Sequence, residues 1–348
     1  MKKYQIVLES EDVANASSKA PSDIRKIAND LNFKELVIKL KFDSSSYISK
    51  LKTQVEYRNK LKSIYDIVEP NSIILIQFPI YIAQLGRSEF LKKLKSKKNV
   101  RFIFLVHDVE ELRGAYNDSF QKNQFSEMLR LANIIIVHNK KMMDFFVKKG
   151  YAKKQLVNLK IFDYLVDGAV VDKIVAFSKE IIIAGNLDEQ KTKYLQYLDK
   201  VNANFNLYGP NFNLESFKNI IYNGIVPSEK LPLKLDKGWG LIWDGESIET
   251  CRGSFGNYLR YNDPHKLSLY LVSGLPVFIW SEAAEASFIS ENKLGYTINS
   301  LNDISHILDT LTIEEYENFA SNVHNMSKKL SSGYFTKSAI NKALQKLE

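Results

Sequence analysis

Ser72-Ile73-Ile74-Leu75-Ile76-Gln77 and Asn133-Ile134-Ile135-Ile136-Val137 decide the architecture. Neither run alternates apolar with polar residues, as a strand with one wet face would. Both read as strands buried on two faces, the mark of a parallel sheet covered by helices on each side. Working outward, further strand-like runs fall at Tyr4–Leu8, Glu35–Leu40 and Arg101–Val106. Amphipathic stretches separate them at Pro21–Leu31, Ile48–Val68, Arg87–Ser96, Ser119–Leu131 and Lys140–Lys149. A second series brings strands at Glu180–Ala184, Asn204–Tyr208, Gly238–Trp243 and Pro276–Trp280, with helices at Glu189–Val201, Pro227–Asp236, Pro264–Ser273 and Ala283–Asn292. Two successive βα series predict an α/β chain of two doubly wound domains; a closed barrel would need more even spacing.

The polar break over Val166–Ser178 reads as the linker, giving domains 1–165 and 166–330 and a final helical segment, 331–348. Thr312-Ile313-Glu314-Glu315 is a capping box that opens a long helix. Gly333 breaks it, and Phe335–Leu347 reads as one more amphipathic helix.

A chain of 348 residues, 45% hydrophobic and 25% charged, is long enough for two such cores and too apolar for disorder. Its single cysteine, Cys251, excludes an intramolecular disulfide and a cysteine-based zinc cluster. Ser72–Leu85 and Leu267–Trp280 are the most apolar stretches, and both fall short of the roughly 20 residues that span a bilayer. With no signal-peptide pattern after Met1, the expectation is a soluble, cytoplasmic protein. The net charge of +8 suits nucleic acid, an anionic membrane surface or a phosphorylated small molecule. No aromatic-interleaved basic motif supports a nucleic-acid partner. The Lys92–Lys98 run reads as a solvated helix end, with a peripheral membrane contact as its other reading.

Ligands of open α/β sheets bind beyond the carboxyl ends of the strands, which turns the strand map into a short list of loops. In the first half these are Ser10–Lys19, Phe78–Tyr81 and His107–Glu110. In the second they are Gly185–Leu187, the segment after Tyr208–Pro210, Asp244–Asn262 and Ser281–Glu285. Gly185 directly follows an apolar strand, where a glycine serves either as a turn-former or to let backbone approach a ligand; Lys191 and Lys193 stand in the helix beyond. Asn262 or Asp263 can cap the next helix, Pro264 suits its first turn, and His265 and Lys266 would present cationic or donor groups there, an arrangement that suits a diphosphate. Tyr258 and Tyr261 are placed to contact a base or ribose. An ordinary well-capped helix would show the same residues. Asp108 could accept a proton from a hydroxyl, with His107 orienting it, Glu110 as a second base and Arg113 binding an anionic group; a buried His–Asp pair capping a helix is the bland alternative. No Asp-x-Asp, dinucleotide fingerprint, P-loop, nucleophile elbow or paired histidines occur.

Several blocks together carry a resemblance. They are His107–Arg113, Val137-His138-Asn139 with Met142, Ile161–Leu165, Ala184–Leu187, Asn262–Leu271, Gly274-Leu275-Pro276-Val277 and Gly333–Lys337. In these the chain resembles bacterial galactofuranosyltransferase-like proteins and the related glucosyltransferases that extend O-linked GlcNAc on serine-rich repeat adhesins of Gram-positive cocci. The resemblance implies a GT-B fold, two Rossmann-like domains facing a cleft with the C-terminal helix crossing back onto the N-terminal domain. It implies a UDP-sugar donor, no cofactor and no metal. Gly185, Asn186, Tyr258, Asn262, His265 and Lys266 become donor-site candidates. Asp108 becomes the candidate base, joined by His107 and Glu110, while Arg113 and Gln77 line the acceptor side. Lys191 and Lys193 have no secure counterpart. Glu282, Glu285 and Glu291 miss the glutamate spacing of retaining relatives, which favours inversion. The acceptor would be a glycan on a protein or a polysaccharide intermediate, and a homo-oligomer is compatible with the family. A non-catalytic partner binding glycosylated acceptor is the alternative.

Overall fold

The computed structural model describes residues 1–10, 19–40, 46–114, 118–173, 175–214 and 218–348. The predicted ligand loop Ser10–Lys19 lies largely outside them.

The first half carries β1 (Lys3–Ser10), α1 (Lys19–Asp30), β2 (Lys34–Leu40), α2 (Tyr47–Ile67), β3 (Ile73–Phe78), α3 (Arg87–Lys98), β4 (Arg101–Val106), α4 (Glu110–Arg113), α5 (Ser119–Leu131), β5 (Ile134–Val137), α6 (Lys140–Lys148) and β6 (Leu156–Asn158). Its strands form one parallel sheet in the order β2-β1-β3-β4-β5-β6, with Ile74 opposite Phe102 and Phe104 opposite Ile135. Consecutive apolar residues serve opposite faces. Ile74, Ile76, Phe102, Phe104 and Ile135 pack with Tyr57 and Leu61 of α2 and with Phe90 and Leu94 of α3. Ile73, Leu75, Ile103, Leu105 and Ile134 pack on the other side with Ile24 and Ala28 of α1.

The second half runs α7 (Gly168–Val171), β7 (Ala176–Ala184), α8 (Glu189–Thr192), β8 (Phe205–Tyr208), β9 (Ile220–Tyr222), α9 (Leu231–Lys234), β10 (Lys237–Ile242), α10 (Gly253–Tyr258), α11 (His265–Val272), β11 (Val277–Trp280), α12 (Ala286–Glu291), β12 (Gly295–Ile298), α13 (Asp303–Thr310), α14 (Ile313–Ser331) and α15 (Tyr334–Gln345). Its sheet is also all parallel, ordered β12-β11-β10-β7-β8-β9, so the strand order reverses between β7 and β10. That reversal leaves a crevice at the carboxyl ends of those two strands. Gly240 is required there: a Cβ on it would lie 2.2 Å from the Tyr270 ring of α11. The close seat lets the Tyr270 hydroxyl accept from the amide of Ala184 at 2.7 Å, fixing the exit of β7.

Two predicted helices shrink. Over Pro227–Asp236 only α9 forms, because Pro232 lacks an amide hydrogen and restrains its predecessor. Over Glu189–Val201 the chain makes the single turn α8 and then a 3-10 helix at residues 193–200. The Thr312 side chain does accept from the Glu315 amide, but Glu315 turns its carboxylate to the Tyr296 hydroxyl, so the capping box is one-sided.

α14 stays with the second half, packed on α11, whereas α15 crosses back. Ala339, Ile340 and Ala343 join the face of the first sheet that α1 covers. Asp163 fastens the crossing, its carboxylate accepting from the amides of Phe335 (3.2 Å) and Thr336 (2.5 Å) at the start of α15. Truncating fully buried Ile340 to Ala would cost about 2–5 kcal/mol.

Candidate active site between the two halves

Strand ends from both sheets meet at one seam. After β4 come His107 and Asp108, then α4, whose Arg113 guanidinium reaches Asp108 and Glu110, each at 3.2 Å. The Tyr81 hydroxyl, from the loop after β3, stands 3.1 Å from the Glu110 carboxylate and 3.4 Å from that of Asp108. Burial pushes the Asp108 carboxyl up, while Arg113 and a hydrogen bond from Tyr258 pull it back. The result is a partly shielded carboxylate on a guanidinium, open to solvent over about a quarter of its side chain, 28%.

The second half closes on this group through α10. The Tyr258 hydroxyl accepts from the Val109 amide at 3.0 Å, and Arg113 lies 5.8 Å from the centre of the Phe255 ring. Tyr258 was read from sequence as a contact for a base or ribose. Its hydroxyl is instead committed across the seam, and the residue is buried.

His107 does not pair with Asp108. Its Nε2 bonds Gln77 Oε1 at 2.6 Å, and its ring stacks on Phe162 with the planes 5° apart. Burial pushes its pKa down to about 4, so it is neutral near pH 7 and holds Gln77 in place. Gln77 in turn donates to the Pro21 carbonyl.

His265 needs a larger correction. Expected as a cationic or donor group at a helix start, it stacks on Tyr164 with centroids 4.9 Å apart, and burial holds its pKa down at about 3, which removes the cationic reading and leaves the donor one. A neutral imidazole adds no charge for a diphosphate. The helix start is also built differently. Pro264 is the N-cap, and the Asp263 carboxylate, instead of capping its own helix, accepts from the Phe162 amide at 2.5 Å. Nearby, Asn262 Oδ1 and His265 Nε2 are buried with no hydrogen-bond partner among the described residues.

Lys266 points to the crevice but is not free. Its ammonium donates to the Trp243 carbonyl (2.7 Å) and pairs with Asp244 (2.8 Å) at the end of β10. Lys191 faces the same carboxylate from 3.9 Å and keeps a third of its side chain exposed. Its charge also acts on Asp108 across the seam. Sequence reading noted Lys191 in the helix after Gly185 but left it out of the donor-site candidates, because it has no secure counterpart in the family. The signal that reaches it is topological: it follows β7, at the switch point.

Gly185 turns at φ +137° with open space where a Cβ would be, and its amide donates to the Tyr208 carbonyl at 3.0 Å. Asn186 is exposed beside it, its side-chain oxygen taken by Asn211 and the Asp188 amide. Gly209 must also be glycine, since a Cβ would fall 1.8 Å from the Gly185 carbonyl oxygen. These turns expose main chain at the crevice. Among the described residues no group of three or more His, Cys, Asp or Glu is placed to hold a metal ion.

Residues 3–161 match the family described as "Glucosyltransferase 3-like, N-terminal domain", and residues 181–343 match its C-terminal counterpart. Beta-1,6-galactofuranosyltransferase WbbI of Escherichia coli K12 is 34% identical over 295 residues, which is 83% of this chain and 84% of that protein. The chain belongs to the glucosyltransferase 3-like family. Glucosyltransferase 3 of Streptococcus gordonii is 26% identical, with 92% of each chain covered. Among solved structures, Anabaena HepE in complex with UDP and glucose superposes with a TM-score of 0.60 at 11% identity, covering 99% of this chain and all of that one. WaaG, a glycosyltransferase of lipopolysaccharide biosynthesis, gives 0.56 over 97% of this chain and 98% of that one, also at 11% identity. The fold of this glucosyltransferase 3-like chain is therefore GT-B, and the chain is a glycosyltransferase; the non-catalytic alternative falls away.

Proposed function

We propose that the chain moves a hexose, glucose or galactofuranose, from a UDP-sugar to a sugar hydroxyl on a glycoprotein or polysaccharide intermediate. The observation that carries this reading is the seam itself, where Tyr258 of one half closes on the loop that carries Asp108 of the other, and Lys191, beside Asp244, is near enough for its charge to act on the Asp108 carboxyl. The printed names of the two relatives, a galactofuranosyltransferase and a glucosyltransferase, support the sugar class, and the UDP and glucose bound to HepE support the donor.

In this reading residues 166–330 hold the donor and residues 1–165 the acceptor. Main chain at Gly185 and Asn186 approaches the nucleotide, and Asn262 Oδ1 is an acceptor awaiting a donor group. Asp108 takes the proton from the acceptor hydroxyl as its oxygen bonds to the anomeric carbon. The bond from that carbon to the UDP oxygen breaks with its electron pair going to the diphosphate, and the anomeric configuration inverts. Lys191 neutralises the developing charge, with Lys266 and Asp244 setting its position. No step requires a metal. Burial raises the Asp108 carboxyl while Arg113 and Tyr258 hold it back, which keeps it poised to take a proton. A cytoplasmic setting and a homo-oligomer belong to the same reading.

The test is calorimetry with UDP and with a panel of UDP-sugars, followed by transfer to GlcNAc-bearing acceptors. UDP should bind without added cation, and one UDP-hexose should be consumed. A purified chain with no affinity for UDP would end this reading.

A further inference from the structure

The chain's charge is unevenly placed. α2 and α3 together hold eleven Lys and Arg against three Asp and Glu. Taking these from the chain's 48 and 40 leaves 37 of each, so the whole excess of +8 sits on two adjacent helices. They lie side by side over one face of the first sheet.

α2 also carries apolar residues on two opposite sides. Tyr57, Leu61 and Ile64 are buried against the sheet. On the outward side Tyr47, Ile48, Leu51 and Val55 are 81%, 78%, 55% and 47% exposed. At helical spacing they form one stripe over its first turns, and the same stripe continues as exposed Arg58 and Lys62, with Lys52 at its flank. The loop after β3 lies against this stretch. Gln54 of α2 holds the Ala83 carbonyl (3.0 Å) and the Leu85 amide (2.8 Å), and Leu85 adds a further half-exposed apolar side chain. Four residues before Leu85 is Tyr81, at the Asp108 and Glu110 carboxylates.

We propose that the outward face of α2 and α3 docks on an anionic lipid bilayer, with Tyr47, Ile48, Leu51, Val55 and Leu85 entering the headgroup–acyl boundary. Lysine and arginine along the same face meet the headgroups, their aliphatic stems lying over the apolar boundary. Concentrated positive charge around an apolar stripe is the complement of an anionic membrane; a second copy of the same face would bring like charges together. No described helix is long and apolar enough to cross a membrane, so the contact is peripheral. The contact places the acceptor side of the seam beside the lipid surface, suiting an acceptor held there. That last point rests on the proposed function; the docking itself does not.

The full chain is sedimented with vesicles of phosphatidylcholine alone and with about one-third phosphatidylglycerol. It should bind the anionic vesicles, and binding should fall as salt shortens the Debye length from about 10 Å toward 3 Å. Ile48→Glu with Leu51→Glu should lose about tenfold or more in vesicle affinity. Leu51→Ser with Val55→Ser is a milder pair, and Arg58→Glu with Lys62→Glu should abolish the anionic preference. UDP affinity should be unchanged in every variant, which separates failure here from failure of the donor site. Equal binding to both vesicle types, or wild-type binding by Ile48→Glu/Leu51→Glu, overturns the proposal. So does a wild-type dimer that the same pair converts to monomer, which would make the face an interface between copies.

Discussion

Arg113→Met removes the guanidinium that serves both Asp108 and Glu110, each 3.2 Å away. At an effective dielectric of about 20, a unit pair at that separation is worth about 5 kcal/mol. Most of this is offset by the cost of taking the guanidinium and carboxylates from water. The Arg113 and Asp108 side chains remain about a quarter exposed, at 26% and 28%, whereas that of Glu110 is only 5% exposed. The net loss of stability near neutral pH is therefore about 2–3 kcal/mol, at or below the low end for breaking a buried pair. The sign with pH follows from Asp108. Its folded pKa already lies above the ordinary carboxyl value because of burial, and Arg113 is the largest influence holding it down. Without Arg113 the folded pKa rises further, so between the unfolded and folded values the native state binds more protons than the unfolded chain. Stability then falls as pH rises through that window. Urea titrations of both proteins at several pH values should show a small deficit near pH 4 that widens toward pH 7. The acid limb of kcat/KM should move to higher pH. A deficit independent of pH, with an unmoved acid limb, would refute the coupling of Arg113 to Asp108.

Asp108→Asn should lower turnover by about 10²–10⁴ and leave UDP affinity as it was; unchanged turnover would remove Asp108 as base. Lys191→Met should reduce kcat by about 10²-fold in a UDP-release assay, and an effect confined to acceptor KM would place this lysine elsewhere. Transfer should persist in excess EDTA, and restoration by Mn²⁺ after a loss would show that a metal takes part. Gly209→Ala puts a Cβ 1.8 Å from the Gly185 oxygen, so a loss of about 2–3 kcal/mol in denaturant, together with weaker UDP binding, is expected.

Interior strands were legible because burial on both faces leaves an apolar run, as in Ile73–Phe78 and Ile134–Val137. The strands that escaped notice, β6, β9 and β12, are edges of three or four residues. An edge so short buries too little to write a pattern. The active-site loops were legible from topology, yet the partners of their side chains were not. Lys266 meets Asp244 and Tyr258 meets Val109 only after folding brings together residues 22 and 149 positions apart. His265 shows the limit most clearly: its charge state is fixed by the Tyr164 ring and by burial, neither visible in Pro-His-Lys.

The return of α15 to the first sheet has a consequence for synthesis. A ribosome releases residues 1–161 long before 334–347, so the half made first waits for the half made second. Until then Leu75, Ile103, Leu105 and Ile136 lack the cover of Ile340, Ala343 and Leu347, and an apolar sheet face stays open to water. The nascent N-terminal half thus carries an aggregation-prone face throughout translation of the other half. Premature termination before residue 334 yields a fragment with that sheet face uncovered, and so an aggregation-prone one.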